Sequence, residues 1–180
     1  MSSSATPLLA RGPSANASPY ATHISTYLGF DQCEAPTANL MESWYNASPY
    51  ADTGIYIGGG NRGCSPPNLN TTYVQQLLQM GWGLMPLWVG PQAPCTTGFP
   101  GGIISSNTTT AASQGVTEAQ SAITAALDLG LANSIIYYDI EPYTHPAGCN
   151  VHAAVAAFLN AWTQTLHNNS YQAGPLCQDQ

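Results

Sequence analysis

The chain has 180 residues, of which only 6% are charged, and its formal net charge is −7. This length is enough for one domain with a substantial hydrophobic core. Lysine is absent and the two basic residues are Arg11 and Arg62, so the composition argues against nucleic acid or an anionic membrane surface as a partner. No segment of the sequence stays apolar over the length that a membrane span requires.

The first 25 residues are rich in Ser, Ala, Pro and Asn, a composition typical of a flexible leader or linker. We therefore divide the chain into this leader, residues 1–25, and one domain over residues 26–180. The domain opens with a predicted strand over Tyr27–Asp31. Because side chains alternate along a strand, Asp31 faces away from Leu28 and Phe30, which we expect to pack against helices.

The next predicted strand, Gly54–Gly58, carries Tyr56. The glycine run that follows it and ends at Asn61 resembles a phosphate-binding loop, but no Gly-Lys-Ser/Thr follows and no helix opens directly after it. We interpret this run as a tight turn that lets a ligand or another backbone segment come close. Asn70 then predicts the N-cap of a helix that Gly81 ends.

The third predicted strand is Leu84–Val89, with Pro86 inside it and Trp88 near its end. Proline cannot donate to a strand ladder, so we expect a strand end or a bulge there. A loop rich in Gly, Pro, Thr and Ser is predicted over residues 90–113, and a helix over Val116–Leu129 follows it. Loops of this length are more often functional or disordered than idle.

Two carboxylates stand at the end of the fourth predicted strand, which is a short apolar run that begins after Ser134. Tyr137, Asp139 and Glu141 share one face of this strand. Adjacent carboxylates repel each other, so one of them is pushed to hold its proton near neutral pH, as a general acid must. The alternative is that the two acids cap the next helix or bind a neighbouring loop.

The last predicted elements are a helix over Val151–His167 and the start of a fifth strand at Tyr171–Gly174, which Pro175 cuts short. Strands and helices therefore alternate, which indicates an α/β fold with a parallel sheet. An eight-fold barrel and an open doubly wound sheet both fit this order. Polar residues at the carboxyl ends of the strands favour the barrel, although the chain is too short for eight units. We predict a partial (β/α)8 TIM barrel of about four β–α units plus part of a fifth strand.

The strand ends are predicted to bring Asp31, Tyr56 and Trp88 beside Asp139 and Glu141 at one mouth. Sugar binding and glycosidic cleavage need a flat apolar surface together with acids that flank the bond. Core packing is the alternative role for the aromatic residues. The candidate glycan-binding residues are Tyr56, Trp88, Gln92, Tyr137 and Asn61.

Five cysteines occur without any Cys-x-x-Cys spacing, which argues against zinc and thiol redox chemistry, and we expect neither a metal nor another cofactor. Loops after adjacent strands lie close together, so the natural pairs are Cys33–Cys64 and Cys95–Cys149, with Cys177 left over. Cysteines and five N-x-S/T sequons favour an extracellular protein, although the first residues do not read as a signal peptide.

Four motifs carry a resemblance to a known family. They are Gly29-Phe30-Asp31-Gln32-Cys33-Glu34-Ala35-Pro36, Gly54-Ile55-Tyr56-Ile57-Gly58-Gly59 with Asn61 and Cys64, Trp88-Val89-Gly90-Pro91-Gln92-Ala93-Pro94-Cys95, and Tyr137-Tyr138-Asp139-Ile140-Glu141. In this order they resemble a secreted glycoside-hydrolase-like barrel domain, domain of unknown function 1906. That family's barrel is similar to the family 25 lysozymes, which also place an Asp on the first strand and an Asp-x-Glu on a later one.

By this resemblance Glu141 is the general acid, while Asp139 and Asp31 orient the sugar or stabilise charge at its anomeric carbon. The implied function is a glycoside hydrolase acting on cell-wall or related polysaccharide, with a glycan as its partner. A carbohydrate-binding module without turnover and an inactive truncated product are the alternatives. Family members commonly continue with further strands, and a sheet with two open edges predicts self-association.

Overall fold

A computed structural model of the protein describes residues 25–143 and 146–177, the last three as backbone only. The predicted leader, residues 1–25, lies outside the described residues except for Ser25. Within these ranges strands and helices alternate. The strands are β1 Leu28–Asp31, β2 Tyr50–Gly58, β3 Gly83–Trp88, β4 Ile135–Ile140 and β5 Gln172–Cys177, and the helices are α1 Ala38–Ala47, α2 Thr71–Met80, α3 Thr108–Asp128 and α4 Val151–Asn168.

All five strands are parallel and lie in the sheet in chain order, β1-β2-β3-β4-β5. The predicted α/β class, with four β–α units and a fifth strand, is therefore confirmed. The outer strands of the described sheet are β1 and β5. Self-association through them stays a prediction.

The four helices cover the same face of this sheet, and this decides between the barrel and the doubly wound alternatives. Phe30 of β1 packs with α1 and α2, while Ile55 of β2 and Tyr138 of β4 lie in one cluster with α2, α3 and α4. A doubly wound sheet has helices on both faces, whereas a barrel has them only on its outside. The arrangement is that of a partial barrel, so the opposite face is the inner one.

Helix α3 begins at Thr108, eight residues before the predicted start, so the predicted loop over 90–113 is wrong at its end. Asn107 caps the helix by accepting a hydrogen bond from the Thr110 backbone N–H at 3.0 Å. Thr and Ser are weak helix formers, but packing overrides this preference. A Cβ on Gly115 would overlap the Phe158 carbonyl oxygen of α4. The small residues buried along this contact are Ala111, Gly115, Ala119, Ala122 and Ala126.

Two prolines lie inside strands. The break expected at Pro175 is absent, whereas the β2–β3 register shifts between Tyr56 and Gly58, one pair beyond Ile55–Pro86, as a bulge near Pro86 predicts. Strand β5 runs through Pro175 to Cys177, and it tolerates proline because it is the outer strand of the described sheet. Pro86 pairs with Ile55 of β2. The ladder between β3 and β4 starts at Leu87, after Pro86. The N–H that Pro86 lacks is therefore not needed for pairing with β4.

The predicted helix ends of α2 are confirmed. The Asn70 side chain accepts from the Tyr73 backbone N–H at 3.0 Å, and Gly81 ends the helix in the left-handed region at a φ of 98°. The apolar stripe of α4 is confirmed as well. Phe158 and Trp162 place their rings 5.0 and 4.9 Å from the Tyr138 ring, so the strand that carries the two acids is backed by a dense aromatic contact.

Candidate active site

Strand β4 presents its acids on the inner face. Tyr138 packs against the helices, so alternation turns Tyr137 and Asp139 to the other side. Asp139 is only 9% exposed, whereas Glu141, just beyond the strand, is partly exposed. The described donors make no hydrogen bond to the Asp139 carboxylate, so its burial is not offset by a donor.

A third carboxylate reaches the same face from β1. The Tyr56 hydroxyl donates to Asp31 Oδ2 at 2.6 Å, which joins the ends of β1 and β2. Asp31 stands beside Gly54 in the β1–β2 register. A Cβ on Gly54 would lie 2.7 Å from the Asp31 Cβ, so the absence of a side chain there gives the carboxylate its room.

The electrostatics of these residues are coupled. Burial, followed by the charges of Glu141 and Asp31, raises the pKa of Asp139 to about 6. Burial also raises the pKa of Tyr56 above its ordinary value, and the hydrogen bond to Asp31 and the charges of the three carboxylates add to this effect. The structure therefore brings Asp31, Tyr56, Asp139 and Glu141 within electrostatic reach of one another.

Tyr137 lies in a row of inner-face residues that crosses the sheet. Tyr56, Leu87 and Tyr137 are register partners on β2, β3 and β4, and Gly174 follows on β5. A Cβ on Gly174 would overlap the Tyr137 ring, so the ring leans over the last strand. Tyr137 remains partly exposed, which leaves part of its ring free to contact a ligand.

Trp88 does not face the mouth, contrary to the prediction. It is 7% exposed within the core between sheet and helices, and its Nε1 donates to Glu118 Oε2 on α3 at 2.7 Å. Leu87 occupies the inner face at this level, because it is the register partner of Tyr56. The third strand is apolar on both faces, so the sequence does not show which of its side chains face the mouth.

Gln92 lies near the acids but is not available to a ligand. It is 1% exposed. Its Nε2 donates to the carbonyl oxygens of Gly90 at 3.1 Å and Asp139 at 3.0 Å. Its Oε1 accepts from the Glu141 backbone N–H at 2.8 Å. The predicted contact with a sugar is replaced by contacts with the backbone that carries the acids.

Asn61 also holds backbone rather than presenting its amide to a ligand. Its Nδ2 donates to the carbonyl oxygens of Gly90 and Gly102, both at 2.9 Å. Its Oδ1 accepts from the Gly101 backbone N–H at 2.7 Å. The predicted turn that lets another backbone segment come close is confirmed, and the segment is the loop after β3.

Both predicted disulfides are present. Cys33–Cys64 and Cys95–Cys149 have Cα–Cα distances of 5.6 and 6.5 Å. Each one joins the loops that follow two successive strands. The prediction that Cys177 is unpaired concerns a side chain outside the described residues. Two disulfides are consistent with an extracellular protein.

Two residues near the site were missed by the sequence analysis. Arg62 Nη1 donates to the Tyr56 carbonyl oxygen at 3.1 Å, and Glu118 anchors the Trp88 ring. Neither stands in a recognisable motif. Arg62 is six residues from Tyr56 and bonds a backbone carbonyl, which no side-chain pattern marks. Glu118 is 30 residues from Trp88, and the fold brings this pair together.

A family model described as "Rv2525c-like, glycoside hydrolase-like domain" matches residues 42–179. The chain belongs to this family. No curated protein and no solved structure matches the chain. Tyr56, Asp139 and Glu141 lie within the matched part of this glycoside hydrolase-like domain, and Asp31 lies before it.

The described part of this glycoside hydrolase-like domain offers no group of three or more His, Cys, Asp or Glu side chains placed to hold a metal ion. None of its described helices combines the length and the apolar character needed to cross a membrane.

Proposed function

We propose that this domain hydrolyses glycosidic bonds in cell-wall or related polysaccharide, with Asp139 and Glu141 as its proton-donating pair. The observation that carries the proposal is the convergence of these two acids with Asp31 at the carboxyl ends of parallel strands. That edge is where barrel enzymes hold their sites. Membership of a glycoside hydrolase-like family supports the same reaction class.

Cleavage of a glycosidic bond needs a carboxyl group that protonates the departing oxygen and a carboxylate that stabilises or attacks the anomeric carbon. The raised pKa of Asp139, about 6, means that Asp139 keeps its proton in mildly acidic solution. We assign protonation of the departing oxygen to Glu141 because it is the more exposed of the two, with the proton passing from Asp139 to Glu141 as the bond breaks.

Asp31 is assigned to the positive charge that develops on the sugar as the bond breaks. The Tyr56 hydroxyl bonds Oδ2 of this carboxylate and leaves Oδ1 for the ligand. Tyr56 and the leaning ring of Tyr137 supply apolar surface of the kind that sugar rings stack on. Water then adds to the anomeric carbon and returns a proton to the acid pair.

The test is turnover of peptidoglycan, chitin and β-glucans by the purified protein, measured as released reducing ends. We expect hydrolysis of one class, and Glu141→Gln should lower it at least about 100-fold, because a general acid contributes on this scale. Asp139→Asn should also lower it. Glu42→Gln, at an exposed acid of α1, is the control and should retain full activity.

The pH dependence of turnover tests whether the proton on Asp139 takes part in hydrolysis. Turnover should fall as the pH rises through about 6, where Asp139 loses its proton. Unchanged turnover in Glu141→Gln would contradict the proposed role of Glu141. Glycan binding without turnover in the wild-type protein would favour the carbohydrate-binding alternative instead.

A further inference from the structure

The Gln92 side chain is held in one orientation. Its amide nitrogen faces two carbonyl oxygens and its amide oxygen faces one N–H. Rotating the amide by half a turn would set the nitrogen against the Glu141 N–H and the oxygen against the carbonyls. At 1% exposure water cannot compensate for these losses, so the flipped orientation is strongly disfavoured.

The position of this amide matters because the strand ladder is missing there. The β3–β4 ladder consists of Leu87–Tyr137 and Trp88–Tyr138. Beyond Tyr138, β4 has a strand partner in the ladder only on its β5 side. The Gln92 amide bonds the Asp139 carbonyl and the Glu141 N–H, so it takes the place of the absent strand and extends the ladder over the two acids.

The loop that carries Gln92 is fixed in turn. The Gln92 backbone N–H donates to the Gly102 carbonyl at 3.1 Å, and its carbonyl accepts from the Ile104 N–H at 2.7 Å. Asn61 bonds the Gly90 and Gly102 carbonyls. These bonds connect the loop after β2, the loop after β3 and the end of β4, so the Gln92 amide is anchored on both sides.

We propose that Gln92 is a positioning residue: its amide fixes the backbone at Asp139 and Glu141, and thereby the separation and burial of the two carboxyl groups. Its role in turnover rests on the proposed glycoside hydrolysis. Its effect on the carboxyl groups does not, and can be measured without a substrate.

The experiment compares Gln92→Met with Gln114→Met. Methionine keeps the length of the side chain and removes its hydrogen bonds. Gln114 is a matched control, because its amide also holds the loop after β3. It accepts from the Ser105 N–H at 2.7 Å and donates to the Ile103 carbonyl at 3.2 Å, and neither partner lies on β4. The readout is the pKa of Asp139 from carboxyl NMR titration.

Without the Gln92 amide, Asp139 should gain water and move away from Glu141. Its pKa should then fall from about 6 toward the ordinary value of 3.8, and Gln114→Met should leave it unchanged. An unchanged pKa in Gln92→Met, or an equal fall in both variants, would overturn the proposal. The first outcome would show that the Gln92 amide does not affect the pKa of Asp139. The second would show that any loosening of the loop after β3 lowers this pKa.

A measurement on the wild-type protein keeps the proposal testable should Gln92→Met not fold. The Nε2 protons of Gln92 should exchange slowly with solvent, and their chemical shifts should titrate with the same midpoint as Asp139. Rapid exchange, or chemical shifts that do not titrate with that midpoint, would contradict the positioning role of Gln92. Where turnover is found, Gln92→Met should lower kcat about 10-fold with little change in KM. The NMR measurements need no substrate, so a failure of the proposed hydrolysis can be distinguished from a failure of the positioning role of Gln92.

Discussion

The two halves of the sheet support their carboxylates in different ways. The half formed by residues 83–177, here the acid-pair half, backs Asp139 and Glu141 with Tyr138, Phe158 and Trp162, which are at most 1% exposed. The half formed by residues 25–82, the first-strand half, carries Asp31 on β1. That strand has four residues, three of them exposed, and its packing partner Trp44 is itself 38% exposed.

The difference indicates how each carboxylate is oriented. The acid pair sits on a strand with a fully buried backing, so its geometry is fixed by packing and by the Gln92 amide. Asp31 lacks such a backing and is oriented instead by the Tyr56 hydroxyl and by the nearby Cys33–Cys64 bridge. Local contacts replace core packing in the thinner half.

The largest effect should come from truncating the aromatic residues behind each half. Phe158→Ala should lower the free energy of unfolding by about 3–5 kcal/mol, because it leaves a cavity in a fully buried site. Trp44→Ala should lower it by only about 1–2 kcal/mol, because the ring is already partly in water. Urea denaturation of both variants measures the difference, and equal losses would show that the halves are packed alike.

Removing each disulfide should have the next largest effect. Replacing both cysteines of either bridge with Ala should lower the free energy of unfolding by roughly 2–4 kcal/mol. The bridges span 31 and 54 residues, so loss of Cys95–Cys149 should cost more, by about 0.5 kcal/mol. Limited proteolysis should nonetheless cut the Cys33–Cys64 variant first near β1 and α1. First cleavage within α4 would contradict the inference that the first-strand half is the less tightly packed of the two.

Asp139→Asn should stabilise the protein at neutral pH. The pKa of Asp139, about 6, lies above the ordinary 3.8, so the folded protein holds this proton more tightly than the unfolded chain does. The resulting stability is complete below pH 3.8 and is lost as the pH rises through 6. Asparagine has no proton to lose, so the variant should be more stable by roughly 1–3 kcal/mol at pH 8.

The same variant should gain little at pH 4, where wild-type Asp139 is still mostly protonated. Urea denaturation at both pH values measures the gain. Asp128→Asn, at an exposed acid that ends α3, is the control and should show no comparable pH-dependent gain. A gain for Asp139→Asn of the same size at both pH values would mean that burial of the charge is not its cause.

The smallest effect should come from Tyr56→Phe. This change removes the hydroxyl that bonds Asp31 and should lower the free energy of unfolding by about 1 kcal/mol. The combined variant Tyr56→Phe/Asp31→Asn should lose less than the sum of the single changes, because both remove one interaction. Strict additivity in thermal or urea denaturation would show that Asp31 is held by something else.

The inner-face position of four residues could be predicted from the sequence. Strand alternation placed Asp31, Tyr56, Tyr137 and Asp139 correctly because their strands mix apolar residues with polar or small ones. The same rule placed Trp88 at the mouth, which is wrong, because both faces of its strand are apolar. Alternation is informative only where the two faces of a strand differ in chemistry.

The functions of the two amides could not be predicted in the same way. Gln92 and Asn61 were correctly placed near the mouth, but their partners are backbone groups at Asp139, Glu141 and Gly102, far along the chain. A polar side chain in the sequence does not reveal whether it will meet a ligand or the protein's own backbone. Only the folded loops decide this.

The match between chain order and sheet order has a consequence for synthesis. As the chain grows from its N-terminus, each strand from β2 to β5 is synthesised directly after the strand that it pairs with. No pairing between these strands depends on one that is made later. The two bridges also follow each other without overlap, Cys33–Cys64 before Cys95–Cys149. Both cysteines of the first bridge leave the ribosome before either cysteine of the second, so the first bridge can close before Cys95 or Cys149 can compete for its cysteines.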